Sequence, residues 1–245
     1  MSAPVILTRR LVQRNQVDLI FAVVAPLIGI VGLTFLLQDV IATGAMTYAQ
    51  YVLPAVVVQA MFFGALTTTD RAASENADGM SLRLRTLPIS QYAPLMARMY
   101  YCLIRGLLAI LASIIGALLF GFRFTGGPGY TVAFFALALL LTLALSLGAD
   151  TVGARAKRTE VAGQLLLIPQ LLLVLLSTGM APPESFPTAL QPFVSHQPIS
   201  QITETLRDFT DGQVDARNAV ASLGWCALFL TLFGYTALRQ QRRSR

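Results

Sequence analysis

Long apolar blocks separated by short, Arg-bearing polar connections make up this chain, and the block lengths carry the first inference. Residues 19–37 hold no charge, and at about 1.5 Å per residue a helix of that length crosses a hydrocarbon core of roughly 30 Å. Similar blocks at 50–68, 99–120, 130–147, 162–179 and 219–238 predict five further spans. Ahead of them, residues 5–16 set Ile6, Leu7, Leu11 and Val12 among Arg9, Arg10, Gln13 and Arg14. That pattern predicts an amphipathic helix lying along a membrane surface with its cationic side in water. The expected fold class is an all-α membrane protein: one domain over 1–245, with six transmembrane helices and an N-terminal interfacial helix.

Two stretches break the pattern. Residues 70–98 are polar and rich in Arg (Arg71, Arg83, Arg85, Arg98), and Glu75, Asn76, Asp78 and Gly79 predict a turn or short helix at a water face. In 180–218, Pro182, Pro183, Pro187, Pro192 and Pro198 forbid one continuous helix. Phe186, Leu190, Phe193 and Val194 nevertheless keep helical spacing, as do Ile199, Ile202, Leu206 and Phe209. Each piece is about ten residues, roughly 15 Å, half of a crossing. Two short amphipathic helices in an outer interfacial or re-entrant hairpin are predicted, with Asp211 and Gly212 ending the second.

Polar residues inside the spans are few. Gln59 sits near the middle of the second, where it either hydrogen-bonds another helix or lines a pathway. Gln164, Pro169 and Gln170 give the fifth a kink and a polar face, suited to a cavity or to helix packing. Arg105 lies seven residues beyond Arg98, roughly 10 Å along a helix. It can snorkel back to the headgroups or pair with a carboxylate on a neighbouring span, and snorkelling is the cheaper reading.

Composition agrees with this class: 245 residues, 55% hydrophobic, 12% charged, mean hydropathy +0.65. The net charge of +6 is explained by topology, since the basic residues fall in short clusters without the aromatic interleaving of a nucleic-acid surface. Fourteen of the 18 Lys and Arg fall on one side of the six-span arrangement. These are Arg9, Arg10 and Arg14, the four arginines of 70–98, Arg155, Lys157, Arg158, and Arg239, Arg242, Arg243 and Arg245. Only Arg123, Arg207 and Arg217 fall on the other, so both termini are expected in the cytoplasm of a plasma-membrane protein. Cys102 and Cys226 lie in apolar blocks as packing residues. The single His, His196, is expected in water or backbone contact, and no HExxH, CxxC, GxSxG or GxxxxGK is present, so no phosphate loop, metal site or cofactor site is expected in this chain.

The run Leu82-Arg83-Leu84-Arg85-Thr86-Leu87-Pro88-Ile89-Ser90 and the Leu119-Phe120-Gly121-Phe122-Arg123-Phe124 end of span three resemble a type-2 ABC transporter permease. The segment from Ser177-Thr178-Gly179-Met180 through Phe186-Pro187, Gln191-Pro192-Phe193 and Leu206-Arg207 is similar to its daunorubicin-resistance branch, with its actinobacterial drug and lipid exporters. The resemblance implies a second permease chain, identical or paralogous, and two copies of a separate ATPase that bind ATP and Mg. It assigns a coupling helix to about Ser74–Leu87, so Glu75, Asp78, Leu82, Arg83, Arg85 and Leu87, with Arg9 and Arg10, are expected near the ATPase. Gln59, Phe62, Phe63, Gln164, Pro169 and Gln170 are expected on the substrate pathway, and Phe186, Phe193, His196 and Arg207 in the outer hairpin. An apolar wall discriminates weakly per methylene, so the expected cargo is a hydrophobic or amphiphilic molecule, drug-like or lipid. An ion-coupled secondary transporter would need a carboxylate relay and an integral membrane enzyme a His or carboxylate cluster, and the sequence displays neither.

Overall fold

The structure, a computed structural model, describes residues 3–38, 46–79, 90, 92–156, 159–179 and 183–243. Among these the chain is all-helical: α1 (Ala3–Arg14), α2 (Gln16–Leu37), α3 (Tyr48–Ala77), α4 (Ala93–Leu119), α5 (Gly127–Gly153), α6 (Thr159–Leu175), α7 (Gln191–His196), α8 (Pro198–Asp211) and α9 (Ala216–Arg243). A single 3₁₀ turn covers Pro183–Ser185. Five helices, α2, α3, α4, α5 and α9, are long and apolar enough to cross a membrane. At 17 residues α6, the predicted fifth span, is shorter than these.

The bundle is built around α3. Of its most apolar stretch 72% is buried, against 22% for α2 and 11% for α9, so α2 and α9 flank the bundle and present apolar side chains outward. Val52, Leu53, Val57 and Met61 of α3 pack with Ile110 of α4, Phe134 and Leu141 of α5, and Ile202 and Leu206 of α8 in one core. Small residues permit the close crossings. A Cβ on Gly153 would collide with the Thr69 carbonyl, and one on Gly148 would press on the Phe233 ring.

Several helices outrun their predicted bounds. The predicted loop at 70–98 is narrower in the structure, because α3 continues to Ala77 and α4 begins at Ala93, with Pro94 in its first turn. Thr67, Thr68 and Thr69 donate their hydroxyls to carbonyls one turn back, which removes their competition with the helix ladder. Glu75 therefore rides on the end of α3 and Asp78 caps it, before Gly79 turns the chain at φ +65°. Arg98, expected in the loop, lies within α4, and Asp150, beyond the predicted end of the fourth span at 147, lies within α5. The predicted coupling residues Leu82, Arg83, Arg85 and Leu87 lie outside the described residues.

Helix α6 begins and ends at opposite levels of α3. The Asp70 carboxylate sits against Gly163, while beyond its other end Gly179 abuts Ala55 and the Thr178 carbonyl accepts from the Tyr51 hydroxyl at 3.0 Å. The 180–218 segment forms two unequal helices, as α7 has six residues and α8 fourteen. Gly212 closes α8 at φ +71°, and its Cα lies so close to Gly126 that neither position has room for a side chain.

Candidate functional site

Three features at the Arg-rich end of the bundle define the candidate site: two buried ion-pair clusters, a cavity above them and a polar groove below. The first cluster ties α2, α3 and α4. Asp18, in the first turn of α2, pairs with Arg71 of α3 at 2.8 Å and with Arg105 of α4 at 3.1 Å. Tyr101 donates its hydroxyl to the same carboxylate at 2.7 Å, and the Arg71 guanidinium stacks over the Tyr101 ring at 4.2 Å. Only 9% of the Arg105 side chain and 17% of Asp18 are exposed. The snorkelling expectation for Arg105 is thus corrected. A carboxylate within reach on α2 binds the guanidinium inside the bundle, and Gly64 of α3 leaves the space its Nη1 occupies.

The second cluster ties α3, α4 and α5. Arg98 meets Asp150 and Glu75. Its Nε lies 2.6 Å from Asp150 Oδ1 without hydrogen-bond geometry, so the hydrogen bond of this pair is Nη2 to Oδ2 at 3.1 Å. Glu75 accepts from Nη1 at 3.4 Å. Sequence reasoning ranked the Arg105 pairing below snorkelling and missed the Arg98 cluster, because the partners are distant in sequence. The signals that point to them are Arg98 and Arg105 two turns apart on one helix and a lone Asp18 at the edge of an apolar block.

Above the first cluster, α2, α3, α4 and α5 enclose a cavity of about 90 Å³. Phe21 and Phe63 stand at its rim, 63% and 44% exposed, while Gln59, Arg105, Thr142 and Ser146 supply its polar surface. Gln59 and Phe63 both line this cavity, whereas Phe62 packs on the core. The other three predicted pathway residues lie elsewhere. On α6, Gln164 and Pro169 are exposed and Gln170 is buried, and none of the three lines this cavity.

Below the cluster a polar groove runs between α1 and the extended end of α3, lined among others by Arg14, Asp18, Asp70, Arg71, Glu75 and Asp78. Helix α1 is fixed there by Thr8, whose hydroxyl reaches the Ala97 carbonyl of α4 at 3.3 Å, and Arg9 and Arg10 are exposed.

At the opposite end Arg207 of α8 is a buried anchor. Its guanidinium lies over the Tyr51 ring at 4.0 Å and donates to the Tyr51 and Thr178 carbonyls at 3.3 and 3.4 Å, with Glu204 as ion partner at 2.9 Å. Gln50 adds a 2.7 Å bond to Asp211, and Gln197 donates to the Leu176 carbonyl. Phe193 and His196 are exposed and Phe186 half-buried, with His196 Nδ1 2.8 Å from the Pro192 carbonyl. Within this segment Asp208 is the group whose carboxyl is held above the usual range, chiefly by burial and against a backbone bond from Asp215.

Comparison with known proteins gives the architecture its family. Residues 33–239 match the ABC-2 family transporter protein domain. The chain is 32% identical over 188 residues to the doxorubicin resistance ABC transporter permease protein DrrB of Mycobacterium tuberculosis, an alignment covering 77% of this chain and 64% of that protein's length. It is 26% identical over 215 residues to the probable doxorubicin resistance permease DrrC of the same organism, covering 87% and 78%. It is 28% identical over 201 residues to the daunorubicin resistance permease DrrB1 of Streptomyces coeruleorubidus, covering 80% and 69%. With the family domain matched across most of its length, the chain belongs to the ABC-2 family of transporter proteins.

Proposed function

We propose that this chain is the membrane-spanning permease subunit of an ATP-driven exporter, moving a hydrophobic or amphiphilic molecule out of the cytoplasm or inner leaflet. The match of residues 33–239 to the transporter family carries this reading, and the naming of its relatives as drug-resistance permeases supports the export direction. ATP hydrolysis falls to a separate chain in two copies, and a second permease, identical or paralogous, completes the pathway. The Arg-rich end then faces the cytoplasm and both termini lie there. Helix α6 serves as the sixth crossing, a reading supported by its run along α3 from Asp70 to Tyr51, and α1 lies at the inner interface.

In this reading the groove between α1 and α3 is the ATPase dock. Helix α3 extends through the membrane and ends in Glu75 and Asp78 at that groove, so a force applied there is transmitted along one continuous helix to the cavity-lining Gln59 and Phe63. Sequence resemblance adds Arg83 and Arg85 to the dock. Closure of the two ATPases would tilt α3 and α1 together and shift the flanking helices as semi-rigid bodies.

The test is a mild-detergent pull-down of the tagged chain with partner identification and an ATPase assay on the eluate. A P-loop ATPase with activity is expected. Replacement Asp78→Lys with Arg10→Glu is expected to lower recovery of that partner while the chain still inserts. Repeated recovery of the chain alone, under conditions that preserve other ABC complexes, would transfer the assignment to a secondary transporter.

A further inference from the structure

The cavity between α2, α3, α4 and α5 has a single charged residue in its described lining, and it is a cation. Two guanidiniums, Arg71 and Arg105, share the carboxylate of Asp18; Arg71 also borders the groove that holds Asp70, Glu75 and Asp78, whereas Arg105 faces the cavity. The other carboxylates lie toward the Arg-rich end, where Arg98 has two, Asp150 and Glu75, about 10 Å from the level of Arg105. Of these charged groups only Arg105 lines the cavity, and its described lining holds no Asp or Glu. Phe21, Ala22, Ala25, Pro26 and Phe63 supply apolar walls. A buried cation beside an apolar chamber is costly unless an anion completes it.

We propose that this cavity receives the anionic head, phosphate or carboxylate, of an amphiphile whose apolar tail leaves between Phe21 and Phe63 toward the bilayer. Arg105 pairs with the head, Gln59 and Ser146 offer hydrogen bonds to it, and the guanidinium repels a cationic head of equal size. Such a ligand rests well below the headgroup plane, because Arg105 lies two turns deeper along α4 than Arg98. In the exporter reading, on which the term cargo depends, this makes acidic amphiphiles the favoured cargo class. The binding itself depends only on the permease chain.

The experiment titrates the full chain, purified in a neutral maltoside detergent, with dodecyl phosphate and with dodecyltrimethylammonium, counting bound molecules by native mass spectrometry. One dodecyl phosphate per chain is expected to bind saturably and dodecyltrimethylammonium not to bind at that site. Arg105→Gln should weaken the phosphate probe about tenfold or more, the scale of a lost charge-assisted hydrogen bond, with Arg105→Lys in between. Gln59→Glu tests the same point without removing a structural cation. It supplies an internal carboxylate, so it should abolish phosphate binding without lowering thermal stability. Equal binding of the two probes, or unchanged phosphate binding in Gln59→Glu, would overturn the proposal. Rapid exchange of the probe supports the site and assigns it to cargo, whereas one acidic phospholipid per chain that survives purification and blocks the probe until delipidation supports the site with a resident lipid as occupant. Because the pull-down above does not involve this titration, either reading can fail alone.

Discussion

Replacing Asp18 by Asn isolates the ionic junction of α2, α3 and α4. The carboxylate faces Arg71 at 2.8 Å and Arg105 at 3.1 Å, with all three side chains at 17% exposure or less, so solvent screens these pairs weakly. At an effective dielectric near 20, each pair is worth about 4 kcal/mol of Coulomb energy at a charge separation of roughly 4 Å. Desolvation of the ions cancels much of that sum, and breaking a buried pair by removing one partner costs about 3–5 kcal/mol. Asn keeps the shape and still accepts from Tyr101, which places the expected loss at the lower end, about 3 kcal/mol. On the scale of a folded domain of this size, that lowers the melting midpoint by roughly 6–12 °C. Size-exclusion of the detergent-purified chain after heating reads the shift directly.

A cycle separates the charge effect from loss of shape. Asp18→Asn leaves two guanidiniums facing an amide, whereas Asp18→Asn with Arg105→Gln leaves one. The double variant should therefore be more stable than the sum of the single losses implies, by about 1–3 kcal/mol. Additive losses, or an Asp18→Asn chain that melts with the parent, would refute the argument that this carboxylate holds the three helices together.

At the other end, Arg207→Lys is expected to cost about 2 kcal/mol, because a point charge replaces a planar guanidinium stacked on Tyr51 and forked onto two carbonyls. Faster proteolysis within 183–211 and a lower melting midpoint are the readouts. Gly212→Ala should reduce the folded yield, since φ +71° costs a side chain about 1–2 kcal/mol and its Cβ would strike Gly126. Asp208, whose folded carboxyl titrates above its unfolded value, penalises the folded state once it ionises, so stability at this position falls as pH rises from the unfolded through the folded value. Asp208→Asn should remove that part of the pH dependence and raise the midpoint at neutral pH. Cys102 and Cys226 are both buried, and maleimide labelling of either should be slow until the chain is unfolded.

The apolar blocks made the helices legible, because membrane burial imposes a length and a composition that survive reading one residue at a time. Their ends were less so. Thr67 to Thr69 and Arg71 read as the exit from the membrane, yet each is satisfied within the helix or across it, by a carbonyl one turn back or by Asp18. The amphipathic face of α8 was visible in Ile199, Ile202 and Leu206, all buried. The anchoring role of Arg207 was not, since it depends on Tyr51 and Thr178 arriving from two other parts of the chain. Among the predicted pathway residues, Gln59 and Phe63 share a chamber while Gln164 and Pro169 face outward, a distinction set by the rotation of α6 about its axis, which a kinked polar face does not specify.

The two ends of α3 are held by different chemistry, and that difference bears on which end can move. At Tyr51 and Gln50 the helix is tied by a stacked guanidinium and direct bonds to α8 and to the turn after α6, with the apolar face of α8 packed behind them. At Arg71 and Glu75 it is tied by ion pairs to Asp18 on α2 and Arg98 on α4, with Arg71 stacked on Tyr101 and Thr69 against Gly153, beside an open polar groove. Of these ties the Arg98–Glu75 pair is the longest at 3.4 Å and borders the groove, where hydration can replace what it loses; interdigitated apolar contacts have no such substitute. In the exporter reading, a force applied at Glu75 and Asp78 would move the Arg-rich end of α3 about a pivot near Tyr51. The cavity lined by Gln59, Phe63 and Gly64 lies along α3 between the two ends, so such a tilt would change its width.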